Sequence, residues 1–304
     1  MSTTLFDWLI QVYPDAKRQT LRRMVADGRV TIDGRPADNV REPVETGAEV
    51  KIGNRPPPGQ AQVKPLRILH EDLDVLVIYK PAGLLTSTVP DETRPTAIAI
   101  IRQYLADSDP RARPGIIHRL DRDAQGILVF SRNNSAYESL KQQFFVHSVD
   151  RVYTAVVHGV PEPRRGRIES NLVELEDGRV VASRDPGKGE EAVTEYEVLR
   201  EQETLALLRV VLHTGRKHQI RAHLASRGHP LVGDPVYGVP EERKRTVGET
   251  GRQAVLLLAA TSLSFDHPRT GVRLTFSCPP PRQIRALFPD HVTGPAVAER
   301  GLGH

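Results

Sequence analysis

The chain has 304 residues, 38% of them apolar and 26% charged, a composition that suits one large globular domain and a small one. Only 5% are aromatic and Cys278 is the single cysteine, so base-stacking platforms must be few, and an internal disulfide or a multi-cysteine metal site is excluded. The net charge is +4 and the sequence pI about 9.3, which points to polyanions as partners.

The N-terminal MSTTLFDWLIQVYPD carries Asp7 and Pro14 and lacks a basic region before a sustained apolar core. It does not read as a signal peptide, and a cytoplasmic location is expected. The longest apolar run, residues 254 to 260, is far below the ~20 residues needed to span a bilayer, so no membrane role is expected.

In chain order, residues 4–13 and 16–26 read as two short helices separated by Pro14, with Leu5, Leu9, Leu21 and Val25 at helical spacing. The second is basic: Lys17, Arg18, Arg22, Arg23 and Arg29 stand against Asp27 alone. Arg29-Val30-Thr31-Ile32, the turn Asp33-Gly34 and a return toward Val44 and Val50 form a hairpin unit ending near Ile52. RPPPGQAQVKP, residues 55–65, has linker composition, stiffened by three consecutive prolines. The expected domains are therefore 1–54 and 66–290, followed by a frayed tail at 291–304.

Beyond the linker, strands are expected at 74–79, 127–131, 152–158, 193–199, 205–213, 255–265 and 272–277. Helices at 95–106, 135–146 and 217–227 interrupt the strands without alternating with them, which predicts an α+β domain on a mixed, mostly antiparallel sheet.

Four segments carry candidate chemistry. HRLDRDAQGILVF, residues 118–130, packs His118, Arg119, Asp121, Arg122 and Asp123 before an apolar strand. Asp121 thus lies between two guanidinium groups, either in an ion-pair knot or as an ionised nucleophile or base. LDVLVIYKPAGLLTS, residues 73–87, is a strand ending in a turn that sets Lys80 beside a ligand. In RVYTAVVHG, residues 151–159, Tyr153 alternates with Ala155 and Val157 on one strand face and also passes for a core tyrosine. LHTGRKHQIRAHLASRGHPLVGDPVYG, residues 212–238, concentrates Arg216, Lys217, Arg221 and Arg227 with four histidines, a pattern for polyanion contact. Ile220 and Leu224 form its buried helix face, while His218 and Arg221, three apart, share another, from which Arg221 reaches toward a carboxylate. The histidines are spaced by five, five and six, unlike the four of a helical zinc pair, so no metal is expected.

These segments, in this order over residues 66–290, resemble the motifs of the RluA-type pseudouridine synthases, which isomerise uridine in ribosomal and transfer RNA. HRLD resembles the catalytic motif, RVYTAVVHG the tyrosine motif, and TGRKHQIRAHLASRGHPLVGD the long motif whose arginine pairs with the catalytic acid. Residues 5–52 resemble a small S-four-like RNA-binding domain. The resemblance implies that Asp121 attacks the ribose or removes a sugar proton, that Tyr153 sits against the base, and that Arg221 orients Asp121 by a bidentate pair. It also implies that Arg119 fills the space left by a flipped uridine. Lys80, His118, Arg216, His218, Arg18, Arg22 and Arg23 become candidate RNA contacts, no cofactor is needed, and a monomer acting on RNA, ribosomal before transfer, is expected. A non-catalytic RNA-binding protein of this fold is the alternative.

Overall fold

A computed structural model describes residues 3–14, 16, 18–26, 29–37, 39–45, 47–53, 66–87, 94–183, 185, 187–240 and 255–289. The expected linker and tail lie outside the described residues, as does Lys17, and within the second helix the side chain of Arg23 does too. The chain divides into two compact units, Met1–Val63 and Lys64–His304.

In the first unit, β1 (Thr3–Thr4) leads into α1 (Leu5–Val12), and α2 (Arg18–Ala26) follows. Thr4 caps α1 by accepting the Asp7 amide at 3.2 Å. Next come β2 (Val30–Ile32), β3 (Arg35–Pro36), β4 (Pro43–Val44) and β5 (Val50–Ile52). Asp33 and Gly34 both have positive φ, 52° and 80°, the conformation a two-residue hairpin between β2 and β3 requires. The expected return toward both Val44 and Val50 is split: β5 pairs with β2, whereas Val44 pairs with Thr3 of β1. Leu5, Leu9, Leu21, Val25, Val30, Ile32, Ala37 and Val44 form this unit's core.

The second unit contains β6 (Arg67–Glu71), β7 (Val75–Lys80), α3 (Ala97–Ser108), β8 (Gly115–Ile116), β9 (Gln125–Ser131), α4 (Asn134–Phe145) and β10 (Asp150–His158). It continues with β11 (Arg165–Glu174), β12 (Val180–Ala182), β13 (Glu190–Gln202), β14 (Leu205–Leu212), α5 (Gln219–Ser226), β15 (Leu258–Asp266), β16 (Arg273–Ser277) and α6 (Arg282–Leu287). One large sheet runs β12-β11-β13-β14-β10-β15-β9-β7-β6, with β16 on β15 and β8 on β9. Of these strand pairs, among the described residues, β15 with β9 is parallel and the others are antiparallel.

The apolar run of β7 follows from burial on both faces. Leu76 and Ile78 join Leu128 and Phe130 of β9 against Ile98, Ile101 and Leu105 of α3. Val75 and Val77 join Ile127 and Val129 against Leu140 of α4 and Phe265. Fully burying a side chain such as Phe130 contributes about 2–3 kcal/mol, so this sandwiched pair of strands is the firm base of the second unit.

Candidate active site

The loop that carries Asp121 enters β9 through Gly126. There φ is +125°, and a Cβ would fall 2.2 Å from the Ala260 carbonyl oxygen, so only glycine lets β9 meet β15. Leu120 and Ala124 are buried in the core and anchor the loop from below. Buried Thr86 grips Leu120 twice, accepting its amide at 3.2 Å and donating to its carbonyl at 2.9 Å. On the other side of Asp121, the Arg122 carbonyl accepts from Lys80 Nζ at 3.0 Å and from the Gly83 amide at 2.9 Å. Asp121 is thus held between two pinned neighbours.

The expected substrate contact by Lys80 is corrected by this arrangement. Lys80 is fully buried, and its Nζ donates to the carbonyls of Pro81, Leu84 and Arg122 at 3.0, 2.7 and 3.0 Å, turned into the protein. Because β7 is covered on both faces, its last side chain points into the protein. Burial pulls its pKa down to about 7, against the opposing charges of Asp121 and Asp123.

Asp121 also differs from its sequence neighbourhood. Arg122 forks onto Asp123 at 2.8 and 2.9 Å, and Arg119 is exposed. The guanidinium that reaches Asp121 is Arg221, from Nη1 to Oδ2 at 3.1 Å. The expected bidentate pair is made elsewhere: Arg221 Nε and Nη2 each donate at 2.8 Å to Asp234, whose side chain is inaccessible. Burial alone would raise the Asp234 carboxyl; the Arg221 fork and the amides of Val236 and Tyr237 outweigh it and hold it below the usual carboxylate range. Burial opposes the charge of Arg221, and Asp234 with Asp121 more than restores it, raising its pKa.

The start of α5 fixes Arg221. His218 occupies the N-cap with φ +52° and provides no side-chain cap. Gln219, the first helical residue, instead ties down the loop before it, its Oε1 accepting from the Thr214 hydroxyl at 2.8 Å and the Arg216 amide at 3.0 Å, while its Nε2 donates to Val193 and Thr194. Two residues later the backbone delivers Arg221 to the two carboxylates.

A cavity of about 560 Å³ opens over Asp121. Tyr153, Arg221, His118, Arg119, Arg216 and His218 all line it. Tyr153 is 6% exposed, burial pushes its phenol up to about 12, and among the described residues no protein group hydrogen-bonds its hydroxyl. His118 stacks on Phe144 at 4.7 Å between ring centroids and accepts the Val129 amide. Burial, with the charge of Arg151, takes its pKa down to about 3, so the ring is neutral. His218 meets the Tyr237 hydroxyl at 3.0 Å and is also lowered by burial. Arg216 pairs with Glu190 at 2.6 Å, and Lys217 pairs with Glu174. In the first unit Arg18 and Arg22 are exposed, Arg22 lying 4.9 Å over the Phe6 ring. Sequence reasoning missed Asp234, Thr86 and Gln219; Asp234 does close the long motif, as the last residue of HPLVGD.

A family model described as RNA pseudouridylate synthase matches residues 74–226. A ribosomal large subunit pseudouridine synthase D of Pseudomonas aeruginosa is 35% identical over 298 residues, covering 91% of this chain and 88% of its own. An uncharacterized RNA pseudouridine synthase of Aquifex aeolicus is 33% identical over 296 residues, covering 92% and 91%. Among solved structures, human RNA pseudouridylate synthase domain containing 4 matches with a TM-score of 0.59 and 25% identity, over 73% of this chain and 92% of that one.

Proposed function

The chain belongs to the RNA pseudouridine synthase family, isomerases that convert uridine to pseudouridine within RNA, and from that premise we propose that it modifies large-subunit ribosomal RNA with Asp121 as the catalytic carboxylate. The Pseudomonas aeruginosa relative, named for the large ribosomal subunit, supports the substrate. The observation that carries the residue assignment is the cavity itself: Asp121 is its one lining acid, beneath basic side chains and joined to the buried Arg221–Asp234 fork.

The reaction breaks the bond between uracil N1 and ribose C1′, turns the base, and joins C5 to C1′, the C5 proton being lost and one gained at N1. Asp121 serves either as nucleophile at C1′ or as base toward a sugar proton, and both routes need an anionic oxygen aimed into the cavity. Arg221 orients that oxygen while Asp234 fixes Arg221. Tyr153 packs against the base as a neutral phenol and relays the C5 proton, its oxygen taking that proton as its own passes to solvent water. The uridine is flipped out of its stack at a cost of a few kcal/mol, and exposed Arg119 fills the vacancy. Exposed Arg18 and Arg22, with Arg23 of the same helix, hold the RNA backbone from the first unit. As a modifier of ribosomal RNA the protein works in the cytoplasm, and it does so as a monomer.

The test is to incubate the purified chain with unmodified large-subunit ribosomal RNA and, separately, with transfer RNA, and to map pseudouridine. Modification of defined ribosomal uridines is expected. Modification of transfer RNA alone overturns the substrate, free uracil identifies a glycosidase, and RNA binding without conversion identifies a non-catalytic relative.

A further inference from the structure

Arg151, two residues before Tyr153 on β10, is 7% exposed and lines the same cavity. Its guanidinium lies 5.5 Å over the Phe144 ring, and one nitrogen donates to the His213 carbonyl at 2.9 Å. Its Nε is buried without a partner, and among the described residues no carboxylate pairs with it. Among the described residues, every other arginine or lysine whose side chain is as deeply buried is neutralised or saturated: Arg221 by Asp121 and Asp234, Arg132 by Glu71 and Asp109, Lys80 by three carbonyls. A buried charge without a counter-charge is costly to the fold.

The pocket around this guanidinium is built to fit it. A Cβ on Gly215 would lie 2.6 Å from Arg151 Nη1, so the bare backbone of the loop before α5 leaves the room the group occupies. Phe144 is itself held by the His118 ring, which gives the cation a fixed face. Burial pulls the pKa of Arg151 down, the expected sign for a cation lacking an anion. Arg151 and Tyr153 line the same cavity and each feels the other's charge, so the cation stands a short step from Tyr153.

We propose that Arg151 is the receptor for one backbone phosphate of the RNA beside the uridine that reaches Asp121. The inference rests on the proposed RNA reading and assigns to that site a charge the apo fold leaves unmatched. The phosphate supplies the missing counter-charge in a charge-assisted hydrogen bond and sets how far along the strand the target uridine lies.

The experiment uses the full chain, fluorescent heptauridylate and a series of heptauridylates with a single neutral methylphosphonate linkage at each position in turn. For Arg151→Met, affinity should fall about tenfold, the size of one charge-assisted hydrogen bond. The slope of log affinity on log salt should become shallower by about 0.7, one single-strand phosphate contact. Arg151→Lys should keep the parent slope. One neutral linkage should weaken the parent and leave Arg151→Met unaffected. An unchanged salt slope with native circular dichroism, or an equal loss in parent and variant at every linkage, overturns the proposal. If Arg151→Met does not fold, the parent decides alone: indifference to every neutral linkage overturns it. A parent that isomerises ribosomal RNA without an Arg151-dependent slope overturns this inference and leaves the proposed function standing, whereas a parent inactive on that RNA overturns the proposed function.

Discussion

Besides the Arg122–Asp123 fork between chain neighbours, the described residues of the catalytic unit hold two arginine–aspartate forks of nearly identical geometry between residues apart in sequence. Arg221 holds Asp234 through two bonds of 2.8 Å, and Arg269, in the turn between β15 and β16, holds Asp74 through two of 2.7 Å. Their surroundings differ. The Arg221 and Asp234 side chains are 4% and 0% exposed, while Arg269 is 63% exposed over an Asp74 at 7%. Arg221 also spends its remaining nitrogen on Asp121, whereas Arg269 makes no further side-chain bond among the described residues. Fork geometry therefore does not mark a functional site. Burial of both charges and a third partner facing a cavity do.

Breaking the buried fork should have the larger effect. Arg221→Met strands Asp234 and frees Asp121; about 3–5 kcal/mol of stability should be lost, and single-turnover pseudouridine formation should fall about a thousandfold. Urea unfolding and turnover of folded protein separate the two losses. A near-parental rate would reduce Arg221 to a structural strut. Asp234→Asn keeps the shape of the acid and halves the fork, so the rate should drop about tenfold to a hundredfold by misplacing Arg221. If the rate is unchanged, Asp121 does not depend on the fork.

Lys80 tests the clamp on the Asp121 loop from another side. Lys80→Met takes one donor from three carbonyls, the Arg122 carbonyl keeping only the Gly83 amide, and the rate should fall about tenfold as the Arg122 side of the loop loosens. The folded Lys80 loses its proton near 7, whereas an unfolded lysine holds it to about 10.4. Between those values the unfolded chain binds more protons, so parent stability should rise with pH relative to Lys80→Met, and the burial penalty is full below 7. Urea midpoints of both proteins at pH 6.5 and 9 check the sign. A gap that does not change with pH would mean that Lys80 stays charged.

The smallest effect belongs to the exposed fork. Arg269→Gln should shift the unfolding midpoint slightly and leave turnover unchanged, because Asp74 keeps Asn133 at 2.9 Å and exposed ion pairs contribute little. A large loss of rate would erase the distinction between the two forks.

Asp121, Tyr153 and Arg221 could be singled out in the sequence because each sits in a contiguous motif, and the structure sets all three around one cavity. Asp234 was hidden because its fork depends on how the chain turns after α5, which helical spacing does not encode. Lys80 misled because a lysine before Pro-Ala-Gly looks like an exposed turn, and only the coverage of β7 on both faces reveals where it goes. Arg151 was read as part of a strand, since nothing in RVY says that its charge lacks a partner. The strands of β7, β9, β10 and β14 were legible from apolar runs, whereas β11, RGRIESNLVE, near the outer end of the sheet, is too polar to announce itself.

The central claim is that one carboxylate, oriented by a buried cation that a second carboxylate fixes, carries the isomerisation. Its most direct test is single-turnover pseudouridine formation by Asp121→Asn on large-subunit ribosomal RNA, with RNA affinity and the unfolding midpoint measured alongside. The substitution keeps the shape and removes the anionic oxygen, so affinity and midpoint should stay near the parent while pseudouridine falls below detection. Conversion at a rate close to the parent's would contradict the account.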